Sequence, residues 1–236
     1  SISTPEAPWP SSPRKKFFVR LGGGYASKSY AYGNRWDFAL YHEEGKVTED
    51  YNINSSGTTF DGGIGYYFFK NIGIEISFIP ASGKTKGTFS ASFPHPLYFD
   101  SPREMSWENP NLKYSASEIN LNLLVNLPLL SNFNVYFTAG GTYFSGIKIE
   151  NLKVINWNET GYPYLDLGIN PLYSVYSQDT YGFNVGGGLD YFIAHNIGLN
   201  INVRFSEGTA EMEVEGNKLS IKTGGLRTTG GIKLAF

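Results

Sequence analysis

The chain has no cysteine among its 236 residues. Disulfide frameworks, thiolate metal sites and cysteine nucleophiles are therefore excluded. Histidine is scarce, with 3 copies, and charged residues supply only 17% of the chain, below the usual share of about a quarter. The formal net charge is −2, so the basic footprint of a nucleic-acid partner is missing. No run of apolar residues is long enough for a membrane-spanning helix. A membrane-spanning strand is a different matter, since it needs only about 9–11 residues and one apolar face. The chain starts at Ser1 with neither Met nor an apolar leader, and is read as a mature form whose targeting segment has been removed.

Glycine and aromatics are abundant: Gly 28, Tyr 17, Phe 17. That mixture favours strands with closely approaching backbones over helices. The last residues, GGLRTTGGIKLAF, alternate. Leu226, Ile232, Leu234 and Phe236 fall on one face, and Arg227, Thr229, Gly231 and Lys233 on the other. The same period of two recurs in segments beginning near Phe17, Phe60, Ile72, Ile119, Phe133, Tyr181 and Ile197. The count is eight strands. Short links at Phe69–Asn71, Pro128–Asn132 and Ala194–Asn196 alternate with long ones at about 30–57, 84–112, 149–178 and 207–218. Sequence neighbours can therefore pair as antiparallel hairpins, and the expected fold is all-β, a closed eight-stranded up-and-down barrel.

Alternation alone leaves two orientations open. In a soluble barrel the apolar face would point inward and the other face would be rich in Lys and Glu. Here the polar face is mostly Gly, Asn, Ser and Thr. It also carries Arg20, Arg204, Arg227 and Lys233 together with Asp61, Glu75, Glu118 and Asp190, a charge-balanced set. Buried charges must be paired, or they are strongly destabilising, so this set reads as an internal charge network. Aromatics near the strand ends, among them Tyr25, Phe60, Tyr181 and Phe205, read as lipid-facing girdles.

With the apolar face outward, the terminal strand ending in Phe resembles the C-terminal signature of bacterial outer-membrane barrels. Ile232, Leu234 and Phe236 match it; Gly230 and Thr228 depart from it. The region 15–236 resembles the small eight-stranded outer-membrane barrels of the OmpA, OmpX and OmpW type. The resemblance implies residence in the bacterial outer membrane, with contact to its lipid and lipopolysaccharide, termini and short turns in the periplasm, and four long loops outside the cell. It also implies that Ile232, Leu234 and Phe236 are read by the barrel assembly machinery.

For function, an eight-stranded interior is just wide enough for side chains, and the charge set would fill it further. A narrow conduit for small solutes is the weaker alternative. Another is a lipid A-modifying enzyme, which would want His near Ser and a carboxylate. His42 and His95 fall in long loops and His195 in a short turn, so no catalytic residue, metal or cofactor is expected.

The long loops are rich in aromatics: Trp36, Tyr41, Trp107, Trp157, Tyr162, Tyr164 and Tyr173 stand out. Two readings remain open for them, a small packed core beyond the membrane, or contact surfaces for a protein or glycan partner. Residues 1–14 hold four prolines and read as an extended arm, with Trp9 as its anchor and self-association through arm or loops as a further expectation. The function expected is a non-enzymatic, structural or surface-interaction barrel.

Overall fold

The structure is a computed structural model describing residues 16–54, 56–214 and 217–236. The arm 1–14 and Trp9 lie outside the described residues. Among the described residues ten strands are present where the sequence suggested eight. They are β1 (Phe17–Ser27), β2 (Ser29–Leu40), β3 (Glu43–Asn54), β4 (Gly57–Tyr67), β5 (Ile72–Phe93), β6 (Arg103–Pro128), β7 (Phe133–Thr160), β8 (Asp166–Phe192), β9 (Ile197–Val214) and β10 (Asn217–Ala235). The extra pair, β2–β3, is the segment expected as a long loop. It forms a hairpin, with Ser29↔Asn54 at one end and Leu40↔Glu43 at the other.

Every ladder is antiparallel. The pairings run β1–β4–β5–β6–β7–β8–β9–β10 and return to β1. β2–β3 stands outside this circuit and joins the far end of β5, from Lys46↔Ser92 to Asn54↔Lys84. The ladders are uneven in length. β4–β5 runs only from Gly62↔Phe78 to Tyr67↔Gly73, whereas β7–β8 runs from Phe133↔Tyr191 to Thr160↔Asp166. At the seam the first strand meets the last: the Phe17 amide donates to the Phe236 carbonyl at 3.2 Å, and the Phe236 amide to the Phe17 carbonyl at 2.8 Å.

The connections expected to be long are mostly strand. β5, β6, β7 and β8 continue well past the apolar-faced segments and make the structure tall at one end, here the long-loop end. The short turns and the seam lie at the other. β10 leaves β1 after Leu226↔Ser27 and continues against β9 alone. Gly224 and Gly225 sit at that departure with φ of 103° and 135°, a left-handed backbone that glycine tolerates best.

The strands alternate buried and exposed residues as the period of two requires, and the apolar face is outward. Leu21, Ile64, Ile76, Leu121, Val185, Leu199, Ile201 and Ile232 are all exposed. Exposed aromatics flank this band, with Tyr25, Phe60, Phe78 and Tyr181 towards the long-loop end and Phe17, Phe68, Tyr191 and Phe236 at the short-turn end. Such a band between aromatic girdles is what hydrocarbon contact selects. The inward glycines make room for large side chains. A Cβ on Gly65 would lie 2.2 Å from the Phe18 ring, and one on Gly208 would lie 2.6 Å from the Phe144 ring.

Candidate functional site: a filled interior and its cap

The interior is built in tiers. At the short-turn end, Phe18, Leu124, Tyr136 and Ala235 form a small apolar cluster. Beside it the Lys233 ammonium binds Asp190 at 2.5 Å and lies 4.2 Å from the centroid of the Phe18 ring. Asn200 bridges this tier by donating to Asp190 at 2.6 Å and to the Tyr136 hydroxyl at 2.9 Å.

The middle tier is an ion cluster. Arg20 donates to Asp61 at 2.6 Å and to Glu75 at 3.2 Å. Arg204, from the other side of the circuit, donates to the same Glu75 oxygen at 2.6 Å and to Ser77 at 2.5 Å. A third tier joins Arg227 to both oxygens of Glu118, with Ser206 donating to Glu118 at 3.0 Å. Beside it an amide–hydroxyl chain runs from Asn184 to Thr142 at 3.0 Å, then to Asn120 at 2.7 Å. The eight charged residues picked out in the sequence are thus buried and paired, in three tiers rather than one web. Alternation put Ser77, Asn120 and Asn200 on this inward face without naming them as neutral links, and Tyr136 was missed. Their signal was present, since all four fall between apolar outward positions.

Lys28 was missed as well. It sits at the break between β1 and β2, beyond the Tyr25 girdle, and is buried. Its ammonium donates to the Tyr114 hydroxyl and to Thr223 at 3.2 Å, 3.9 Å from the centroid of the Tyr114 ring. Among the described residues no carboxylate forms an ion pair with it. Burial pushes its amine down to about 7, against the attraction of Glu118.

Above Lys28 the filling becomes apolar. Ile53, Phe144, Ile147, Ile149, Met212 and Ile221 belong to one core, and Val47, Tyr51, Phe89, Phe93, Leu112 and Leu152 to the next. Most of the loop aromatics pack here. Trp36, Trp107 and Tyr173 lie against the second core. Trp107 stacks on Phe89 at 5.5 Å, and Tyr173 meets the same ring edge-on at 6.1 Å. Trp157, partly exposed, contacts Phe93 at 5.6 Å.

The tip is tied by Arg103. Its guanidinium donates to Glu159 at 2.6 Å, to the Pro94 carbonyl at 2.6 Å and to the Tyr164 carbonyl at 3.1 Å. Tyr41 donates to the other Glu159 oxygen at 2.8 Å. Three hairpin tips are thereby joined. Burial opposes the charged form of Glu159, but the hydrogen bonds from Arg103 and Tyr41 outweigh it and hold the carboxyl below its ordinary range. A cleft of about 540 Å³ lies beside this tie, lined by Arg103, Met105, Thr160, Leu165 and Asp166. Tyr162, with 81% of its surface exposed, projects from the tip with Phe99 and Leu165.

Each of the three histidines lies in a connection between strands. His42 occupies the β2–β3 turn with φ 65°. Nδ1 of His95 accepts the amides of Leu97 and Tyr98 at 3.1 and 3.2 Å, a turn-capping role. His195 lies in the turn before β9. Among the described residues no group of His, Asp and Glu is placed to hold a metal ion.

An outward apolar band around paired internal charges defines a membrane-spanning β-barrel with an occupied interior. The chain belongs to the outer membrane protein β-barrel domain family, whose model matches residues 8–227. It is similar to the solved structure of Neisserial surface protein A, at 12% identity over 93% of this chain and 97% of that one, with a TM-score of 0.47. It is also similar to the N-terminal β-barrel domain of Pseudomonas aeruginosa OprF, at 12% identity over 94% and 98%, TM-score 0.44. The outer membrane protease OmpT from Escherichia coli matches at 12% identity over 96% and 99%, TM-score 0.48. No curated protein matches the chain.

Proposed function

We propose that this is a non-enzymatic outer-membrane protein, of the OmpA-like structural kind, that presents a rigid aromatic cap at the cell surface. The eight strands of the ladder circuit cross the membrane. The long-loop end faces outward, and the short turns and both termini face the periplasm. The observation that carries this reading is the filling of the interior from end to end. Ion pairs occupy the membrane level, and apolar cores occupy the level above. A conduit would need both displaced at once. The loop aromatics support display, because they are spent on packing a stiff scaffold and only a few, Tyr162 foremost, project from it. Aromatic side chains projecting from a rigid base suit contact with a protein or glycan partner. Ile232, Leu234 and Phe236 serve as the signal for the assembly machinery.

Two measurements test the proposal. Planar bilayers containing the protein should show no ion conductance above background. Cells carrying Tyr162→Ser with Phe99→Ser should lose binding to host or neighbouring surfaces while keeping normal protein levels. Steady conductance would favour the conduit. An altered lipid A mass that reverts with His95→Ala would favour the enzyme.

A further inference from the structure

Three hairpin tips meet at the long-loop end: the β2–β3 turn, residues 94–102 between β5 and β6, and residues 161–165 between β7 and β8. Arg103, Glu159 and Tyr41 fasten them into one stiff surface. Leu97, Phe99, Tyr162 and Leu165 stand exposed on it. Large apolar side chains gathered at one exposed end mark a contact site.

The charge around them has one sign. The same tips carry Glu43, Glu44, Asp100, Glu104, Glu159 and Asp166. Across residues 41–44, 94–104 and 159–166, Arg103 is the only lysine or arginine, and it is bound to Glu159. Lys46, the next along β3, lies opposite Asp37. Glu43 accepts the Asp100 amide at 3.1 Å, a neutral partner. Among the described residues no ion pair engages Glu44, Asp100, Glu104 or Asp166. Carboxylates crowded on one tip repel each other, and a cationic partner relieves the repulsion and is steered in by it.

The cleft beside the tie adds shape to this charge. Glu104 and Asp166 stand on it, with Met105 and Leu165 as apolar lining. Two open strand edges flank it. Beyond Tyr114↔Ile149, β6 is paired with β5 alone, and before Gly182↔Gly208, β8 is paired with β7 alone. Such edges offer main-chain hydrogen bonds to an extended segment. Arg103 also lines the cleft, with 9% of its side chain exposed, and its Nε has no acceptor among the described residues. A buried donor of this kind calls for an acceptor that the chain itself does not supply.

We propose that this tip binds a basic, extended polypeptide segment of a partner protein. The segment runs through the cleft, where its main-chain carbonyls meet the spare Arg103 donor. Its Lys or Arg heads lie among Glu104, Asp166 and Asp100, and their stems lie on the faces of Tyr162 and Phe99, where cation–π attraction adds to charge pairing. The same carboxylates turn away sulfated or phosphorylated glycans. The inference deepens the display reading proposed above and rests on it for its setting at the cell surface.

The test uses the whole chain, purified in a neutral detergent. The probe is a fluorescently labelled short peptide of alternating Arg and Ser, and binding is followed by anisotropy. Wild type should bind it, more weakly as salt is raised, and should bind neither the matching Glu–Ser peptide nor a heparin fragment. Glu104→Gln with Asp166→Asn should weaken binding on the order of tenfold. Phe99→Ser with Tyr162→Ser should weaken it comparably. Glu211→Gln with Glu213→Gln, which removes exposed acids of β9 outside the tips, should bind as wild type does. Unheated gel mobility confirms that each variant is folded. Unchanged affinity in Glu104→Gln with Asp166→Asn, an equal loss in the β9 variant, or preference for the heparin fragment would overturn the site. Display is read separately, by labelling Tyr162→Cys on intact cells with a membrane-impermeant maleimide. Failure to label would overturn the outward setting and leave the measured peptide affinity in place. Cell-surface binding that depends on Tyr162 and Phe99 but not on Glu104 and Asp166 would keep the display reading and overturn the basic partner.

Discussion

Arg204 reaches Glu75 across the barrel at 2.6 Å, on the carboxylate oxygen that Arg20 also holds from the neighbouring side. One carboxylate thus fastens β5 to two strands that are not adjacent to each other in the circuit, β1 and β9. Glu75→Gln should leave the buried Arg204 guanidinium without its carboxylate, while Arg20 keeps Asp61, and destabilise the fold by about 3–5 kcal/mol. Arg204→Met should be milder, because Glu75 keeps Arg20. Urea unfolding in detergent micelles, followed by tryptophan fluorescence, measures both. Equal losses would show that the shared carboxylate is not the centre of this tier.

The outward face is tested by Ile201→Arg. The side chain is exposed in the middle of the apolar band, where a basic residue on the lipid side should destabilise by about 2–4 kcal/mol. The same change at Thr209, outward but beyond the girdle, should have a far smaller effect. Refolding titrations into lipid vesicles give the comparison.

Lys28 sets a pH dependence. Its folded amine is held at about 7 by burial, against an ordinary value of 10.5. Between these values the unfolded chain binds the proton that the folded chain rejects, so stability rises with pH. The penalty is present in full below pH 7 and is gone once pH passes 10.5. Unfolding midpoints measured from pH 7 to pH 10 should climb in wild type and climb less in Lys28→Met, which should also be the more stable protein at pH 7. Parallel curves would exclude Lys28 as the source.

The cap should open before the barrel does. Arg103→Gln removes the group that ties Glu159 to the Pro94 and Tyr164 carbonyls. Chymotrypsin should then cut faster near Tyr162 and Tyr164, with the membrane band still protected. Glu159, held below its ordinary range by Arg103 and Tyr41, stabilises the tie above the ordinary carboxylate pKa of 4.5. That contribution is lost as pH falls through the lower, folded value. Acidification should therefore mimic the variant in wild type and add little to it.

The second apolar core can be probed independently of the membrane. Phe89 is buried against Tyr51, Trp107 and Tyr173. Phe89→Ala should destabilise by about 3–5 kcal/mol and red-shift the tryptophan emission, while insertion into vesicles proceeds as in wild type.

Residue alternation by itself determined which side chains share a face. Ile201 and Asn202 cannot both point outward in a strand, so the sequence separated lipid-facing from internal residues and selected Arg20, Glu75 and Arg204 as internal. It could not give their partners. Glu75 and Arg204 stand 129 positions apart, and only the tilt and register of the closed circuit of ladders bring them onto one oxygen. The tertiary structure alone also turned the stretch 30–57 from a loop into β2–β3. The inward set there is interrupted by the polar Asn34 and Glu49, and the hairpin is held by pairing with β5. The fate of the loop aromatics was undecidable locally for the same reason. Trp107 and Tyr162 look alike in sequence, but one has a facing strand to bury it and the other has none.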